Sequence, residues 1–152
     1  MNAQETTRDV RILWFTRNAL DPLQIQLAVA SSGLSVDLHV LEQTKKGIWK
    51  ACVALRIGEP MPAFLVIEGL PGGSTSSELG SIRSRPRLRS LPLVVLGVSG
   101  DPKAEVAAAH DGADGFLRLP DQQSGIARLG QDLARFWAEH RPPTQDNVAR
   151  GA

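Results

Sequence analysis

The stretch "LPLVVLGVSGDPKAEVAAAHDGADGFLRLP", residues 91–120, holds a complete strand–helix–strand unit. Residues 91–97 are an apolar run with adjacent valines, short enough for a strand buried on both faces. Asp101-Pro102 then opens a helix, because Asp can cap it and proline's missing N–H costs nothing in the first turn. Gly112 can take the left-handed conformation that ends a helix. Residues 114–119 form a second short strand, and Pro120 stops it. A strand, a helix and a strand within thirty residues require a crossover, so the two strands should run parallel.

The same unit recurs outward from there. Residues 10–15, "VRILWF", read as a buried strand. "DPLQ" (21–24) carries a cap, a first-turn proline and capping-box spacing, so a helix should run from there to Ser32 and end at Gly33. "LSVDLHVL" (34–41) sets Leu34, Val36, Leu38 and Val40 against Ser35, Asp37 and His39, the pattern of an edge strand with one wet face. A helix follows over 45–58, weakened at its start by Gly47, and "AFLVI" (63–67) is a third buried strand. Thr75 and Glu78 have capping-box spacing for a helix that Pro86 should end. The last helix shows Ile126, Leu129, Leu133, Phe136 and Trp137 at helical spacing. Five strands, each followed by a helix, predict an α/β domain over residues 9–140, with a parallel sheet covered on both faces. Residues 1–8 read as a loose start and 141–152 as a flexible polar tail. In such sheets chemistry collects at the carboxyl ends of the strands.

Composition excludes several classes. The chain has 152 residues and a formal net charge of +1, which gives no global pull toward nucleic acid or an acidic membrane surface. A single cysteine, Cys52, rules out an internal disulfide and reads as a packed thiol. No apolar run approaches the ~18 residues of a membrane span, and the N-terminus lacks a signal-peptide pattern, so a soluble cytoplasmic setting is expected. His39, His110 and His140 have no metal-ligand spacing. There is no G-x-S-x-G elbow, and "GLPGG" (69–73) lacks the Lys-Ser/Thr of a phosphate loop. Arg83, Arg85, Arg87 and Arg89 form a basic run around Pro86, without interleaved aromatics, and read as a solvated loop. No catalytic set emerges, and no cofactor is expected.

Residues 91–120, with "PRLRSLPLVVL" and "LARFWAE", resemble the receiver domain of bacterial response regulators over roughly residues 9–140. "PRLRSLPLVVL" and "LARFWAE" resemble the subgroup paired with bacterial phytochromes and related sensor kinases. The resemblance implies a flavodoxin-like, doubly wound (βα)5 sheet of order 2-1-3-4-5. It also implies a site: an aspartate that accepts a phosphoryl group, two acidic residues that bind Mg²⁺, a Thr or Ser and a Lys. Positioning and charge neutralisation carry such chemistry. Matched position by position, the acidic pair becomes Thr16 and Arg17, the acceptor Ile67, the hydroxyl residue Gly97 and the lysine Leu119. The switch aromatic stays, as Phe116. If the loop after the third strand has lost one residue, Glu68 and not Ile67 stands at the acceptor position. Glu68 could then mimic a phosphorylated aspartate by charge, although a solvated turn carboxylate is the favoured reading.

The expectation is therefore a degenerate receiver, not an enzyme, acting in two-component signalling through protein partners such as a sensor kinase. It should need neither Mg²⁺ nor aspartate phosphorylation. The alternative is an atypical regulator controlled through Glu68 or through a small ligand in the vacated pocket. Arg17 could replace the lost cation and pair with Glu68 through its guanidinium. The resemblance implies a cis Leu119-Pro120 bond, and a homodimer through the fourth helix, fifth strand and fifth helix. Phe136 and Trp137 are adjacent on that last helix, so one ring should be core and the other partly exposed for that interface.

Overall fold

A computed structural model of the chain describes residues 9–17, 21–58, 60–69, 76–97, 102–118 and 124–141. Strands β1 (Val10–Thr16), β2 (Val36–Glu42), β3 (Phe64–Glu68), β4 (Leu93–Gly97) and β5 (Gly115–Arg118) alternate with five helices. These are α1 (Pro22–Ser31), α2 (Lys45–Arg56), α3 (Ser76–Arg83), α4 (Pro102–His110) and α5 (Ser124–His140). All pairings are parallel, and the sheet order is β2-β1-β3-β4-β5. This is the doubly wound arrangement expected from the sequence.

The period-2 geometry of a strand divides the core into two halves. Leu13, Phe15, Leu65, Ile67, Leu93 and Val95 pack toward α2 and α3 through Ile48, Ala51, Leu55, Leu79 and Ile82. Ile12, Trp14, Phe64, Val66, Val94 and Leu96 pack toward α1 and α5 through Ile25, Val29, Leu129, Leu133 and Phe136. Every residue of β3 and β4 is buried, which is why both strands read as continuous apolar runs. β3 nevertheless ends on Glu68, one residue later than its apolar run, and that residue is buried as well.

Local signals set the boundaries. Asp21 caps α1 by accepting from the Leu23 amide at 3.0 Å, and Gly33 (φ 96°) follows its C-cap, Ser32. Gly47 has a different role from the weakening expected of it. Thr44 caps α2, and a Cβ at position 47 would fall 1.9 Å from the Glu42 carbonyl oxygen, so glycine lets the helix start tight against the end of β2. β2 lies at the sheet edge, with Val36 buried and Leu38 and Val40 partly so. Its other face is less wet than the alternation suggested, because Leu41 packs toward α2 and Asp37 pairs with Arg11 and His39. The Thr75 and Asp101 caps, the Leu119-Pro120 bond, the loose start (1–8) and the tail beyond 141 lie outside the described residues.

The basic run is not uniformly a solvated loop. Arg83 donates to the carbonyls of Gly112, Arg89 and Leu91 and to the Asp114 carboxylate, which also accepts from the Leu93 amide. One guanidinium thereby ties the end of α3 to the entries of β4 and β5.

Candidate functional site

Parallel strands end together, so the carboxyl ends of β1, β3 and β4 converge on one rim. Ile67 does not face it. Its side chain is fully buried in the half-core under α2 and α3. Glu68, next along β3, alternates to the other side and is 1% exposed. The expectation of a solvated turn carboxylate is therefore corrected. Glu68 Oε2 accepts from Trp14 Nε1 at 2.8 Å and from Thr16 Oγ1 at 2.9 Å, and Oε1 accepts from the Arg17 amide at 2.7 Å. An indole N–H, a hydroxyl and a backbone amide match the acceptor-only character of a carboxylate. Burial without such partners would be costly.

A second layer fixes the peptide of Glu68. Gln43, just past β2, donates from Nε2 to the Glu68 carbonyl and accepts at Oε1 from the Glu68 amide, both at 2.7 Å. This side chain bonds the backbone of β3 with both ends of its amide, and it is itself buried. Gln43 Nε2 also lies 3.5 Å from Glu78 Oε1, on the first turn of α3. The Arg17 guanidinium does not pair with Glu68, contrary to expectation. It reaches Glu78 at 2.5 Å, while only the backbone amide of Arg17 serves Glu68. Glu78 was legible only as a capping partner for Thr75, and neither Trp14 nor Gln43 carried a signal apart from apolar patterning and a polar loop.

On the β4 side, Gly97 stands beneath Phe116. A Cβ at position 97 would lie 1.9 Å from Phe116 Cζ, so the ring occupies the space a side chain at 97 would need. Phe116 is partly buried against the half-core under α2 and α3. Leu119 lies outside the described residues.

The resemblance to receiver domains implies a Mg²⁺ site here, and the described residues do not fit one. Mg²⁺ requires near-octahedral oxygen ligands with free lone pairs and usually retains several waters. Thr16 and Arg17 contribute donors to the rim, the Glu68 carboxylate is engaged by three N–H and O–H groups, and a guanidinium already sits on Glu78. Among the described residues, no group of three His, Cys, Asp or Glu side chains could hold a metal.

Phe136 and Trp137 divide as their adjacency requires. Phe136 is 4% exposed and meets Phe64 edge-on, while Trp137 is partly exposed and stacks on Phe64 with centroids 5.9 Å apart. Trp137 lines a hollow with Pro62, Leu91 and Pro92, where the strands begin, so it sits at the opposite end of the sheet from the rim. His140 stacks on Phe136 and donates from Nδ1 to its carbonyl.

Five parallel strands in this order, with the rim residues gathered at their carboxyl ends, define the fold of response regulator receiver domains. No protein-family model matches the sequence, and no curated protein matches it. Solved structures do. The phosphorylated cyanobacterial phytochrome response regulator RcpA is similar with a TM-score of 0.70 at 17% identity, covering 89% of this chain and 98% of its own. The Mn²⁺-bound form of response regulator Rcp1 gives 0.67 at 18%, covering 87% and 96%. The response regulator RPA3017, of red-light signalling in R. palustris, gives 0.67 at 19%, covering 84% and 92%. At these identities the likeness establishes the fold. No helix among the described residues is long and apolar enough to cross a membrane.

Proposed function

We propose that this chain is a receiver-like signalling module that acts through protein contacts, without aspartate phosphorylation and without Mg²⁺. The observation that supports it most is the Glu68 carboxylate, buried and accepting from Trp14, Thr16 and the Arg17 amide. Chemistry like that of the phosphorylated RcpA needs a carboxylate oxygen free to attack and a cation to neutralise the transferred group. At this rim both oxygens of Glu68 are held, Arg17 is committed to Glu78, and Gly97 offers no hydroxyl. These parts act as a unit, so losing them together removes transition-state stabilisation that no other described residue replaces. Incubating the protein with acetyl phosphate and Mg²⁺ should leave its intact mass unchanged. A stoichiometric adduct one phosphoryl group heavier would overturn the reading.

A second reading gives Glu68 an active part as a built-in anionic group at the end of β3. Its support is that Glu68 is already engaged by donors, while the Phe116 ring is tucked over Gly97. Under this reading the module is held in one state, and its partners need no input of phosphate.

We also place a homodimer on the face of α4, β5 and α5. Its apolar centre would be Val106, 69% exposed, beside Ala107 on a shallow surface bordered by Lys103, His110 and Asp111. Trp137, at the far end of the sheet, is not part of this proposal. Light scattering should give a dimer that Val106→Glu converts to monomer, with more than about 1,000 Å² buried in the dimer. A wild-type monomer at high concentration would refute it.

A further inference from the structure

The arginine run supplies a feature that the rim does not use. Helix α2 buries Gly47, Ile48, Ala51 and Leu55 against the sheet. Trp49, Cys52, Val53 and Arg56, spaced at i, i+3, i+4 and i+7, form a second stripe on the same helix. That stripe faces the connection from α3 to β4, and with Arg85, Pro86 and Arg87 it encloses a cavity of about 320 Å³. Trp49 is 56% exposed. The Nε of Arg85 is buried and has no hydrogen-bond partner. Among the described residues, none of Arg56, Arg85 and Arg87 is ion-paired, unlike Arg11, Arg17 and Arg83. Among the described residues, no acidic side chain lines the cavity.

We propose that this groove between α2 and the α3–β4 connection binds an acidic peptide segment of a partner protein, with an apolar side chain of that segment seated beside Trp49 and its carboxylates on the arginines. Three arguments support this occupant. Charge complementarity is first, since three cations surround an apolar hollow into which no described residue puts an anion. Second, Arg is suited to paired hydrogen bonds with carboxylates through the outer nitrogens of its guanidinium. Third, Trp and Arg around a pocket are the residues that most often carry binding energy at protein interfaces. The volume suits one side chain. A nucleic-acid strand fits less well, because it needs successive aromatic platforms along a basic track. Here there is one exposed ring, and the net charge is +1. Burial pushes the Cys52 thiol up, with Arg85 opposing, so the groove's sulfur is a packing surface and not a nucleophile.

This inference rests on nothing at the Glu68 rim, and its test reads out separately. A phage-displayed library of random peptides is selected on the full chain and counter-selected on an Arg85→Gln/Arg87→Gln variant whose circular dichroism matches wild type. Enriched peptides should carry Asp or Glu on both sides of a Leu, Ile or Phe. The synthetic consensus should lose affinity about tenfold or more on the double variant and on Trp49→Ala. Lys45→Gln/Lys46→Gln, on the same helix, should leave it unchanged. No enrichment over the variant, enriched peptides without acids, or equal loss in the lysine control would each overturn the proposal. So would single-stranded oligothymidylate binding more tightly than the consensus peptide.

Discussion

Ile67→Asp is expected to abolish stable folding, lowering stability by more than about 4 kcal/mol. The side chain is fully buried among Phe15, Leu65 and Val95, with α2 and α3 closing over it. A carboxylate placed there meets no donor from the surrounding apolar side chains and displaces well-packed aliphatic surface. Ile67→Val at the same site removes one methylene and should cost only about 0.5–1.5 kcal/mol. Urea unfolding of the pair measures the difference. An Asp variant nearly as stable as wild type would show that position 67 reaches water, and that the strand register at the rim differs from that described. The variant also bears on function, since a matched alignment alone would choose Ile67 as the place to install a phosphoacceptor.

Glu68→Ala should cost about 2–4 kcal/mol, because among the described residues alone it leaves three donors without their acceptor. Trp14 Nε1 is the decisive one, buried on the α1 and α5 side of the sheet. Thr16 Oγ1 and the Arg17 amide are only partly buried and can turn partly to water. Glu68→Gln should fall between wild type and Ala. Its amide oxygen can still accept, but its NH₂ must face at least one of the same donors. Thermal or urea denaturation of the three proteins checks the order. If Glu68→Ala matched wild type, the carboxylate would not be the organising group of the rim.

The architecture was legible because its signals are local and repeated. Asp21-Pro22, Gly33 and Gly112 mark helix ends, and the unbroken apolar runs of β3 and β4 record burial on both faces. The rim was only partly legible, for reasons that are physical. A one-residue change in a loop shifts which of two neighbours faces the site, and period-2 alternation turns that shift into a choice between core and rim. Sequence left Ile67 and Glu68 as alternatives, whereas the β3–β4 register sets Ile67 beside Val95 and Glu68 beside Leu96. The partners of Glu68 come from 51 to 54 positions away, and that of its peptide from 25. No spacing rule links Trp14, Gln43 and Glu68. Arg17 was placed in the right neighbourhood, but its backbone and its side chain serve different acids, a division that residue type cannot reveal. Gly97 was readable as a missing hydroxyl, while its steric role beneath Phe116 needed the ring's position.

The rim is already satisfied from within the chain. The Trp14 indole proton reports on this, and its resonance can be assigned by its loss in Trp14→Phe. Hydrogen bonding to the buried Glu68 carboxylate should make this proton exchange slowly with solvent, and adding Mg²⁺ with acetyl phosphate should leave its chemical shift and its exchange rate unchanged. A shift that saturates with Mg²⁺, accompanied by faster exchange of the indole proton, would mean that Glu68 releases Trp14 to take up the ion, and would contradict the account.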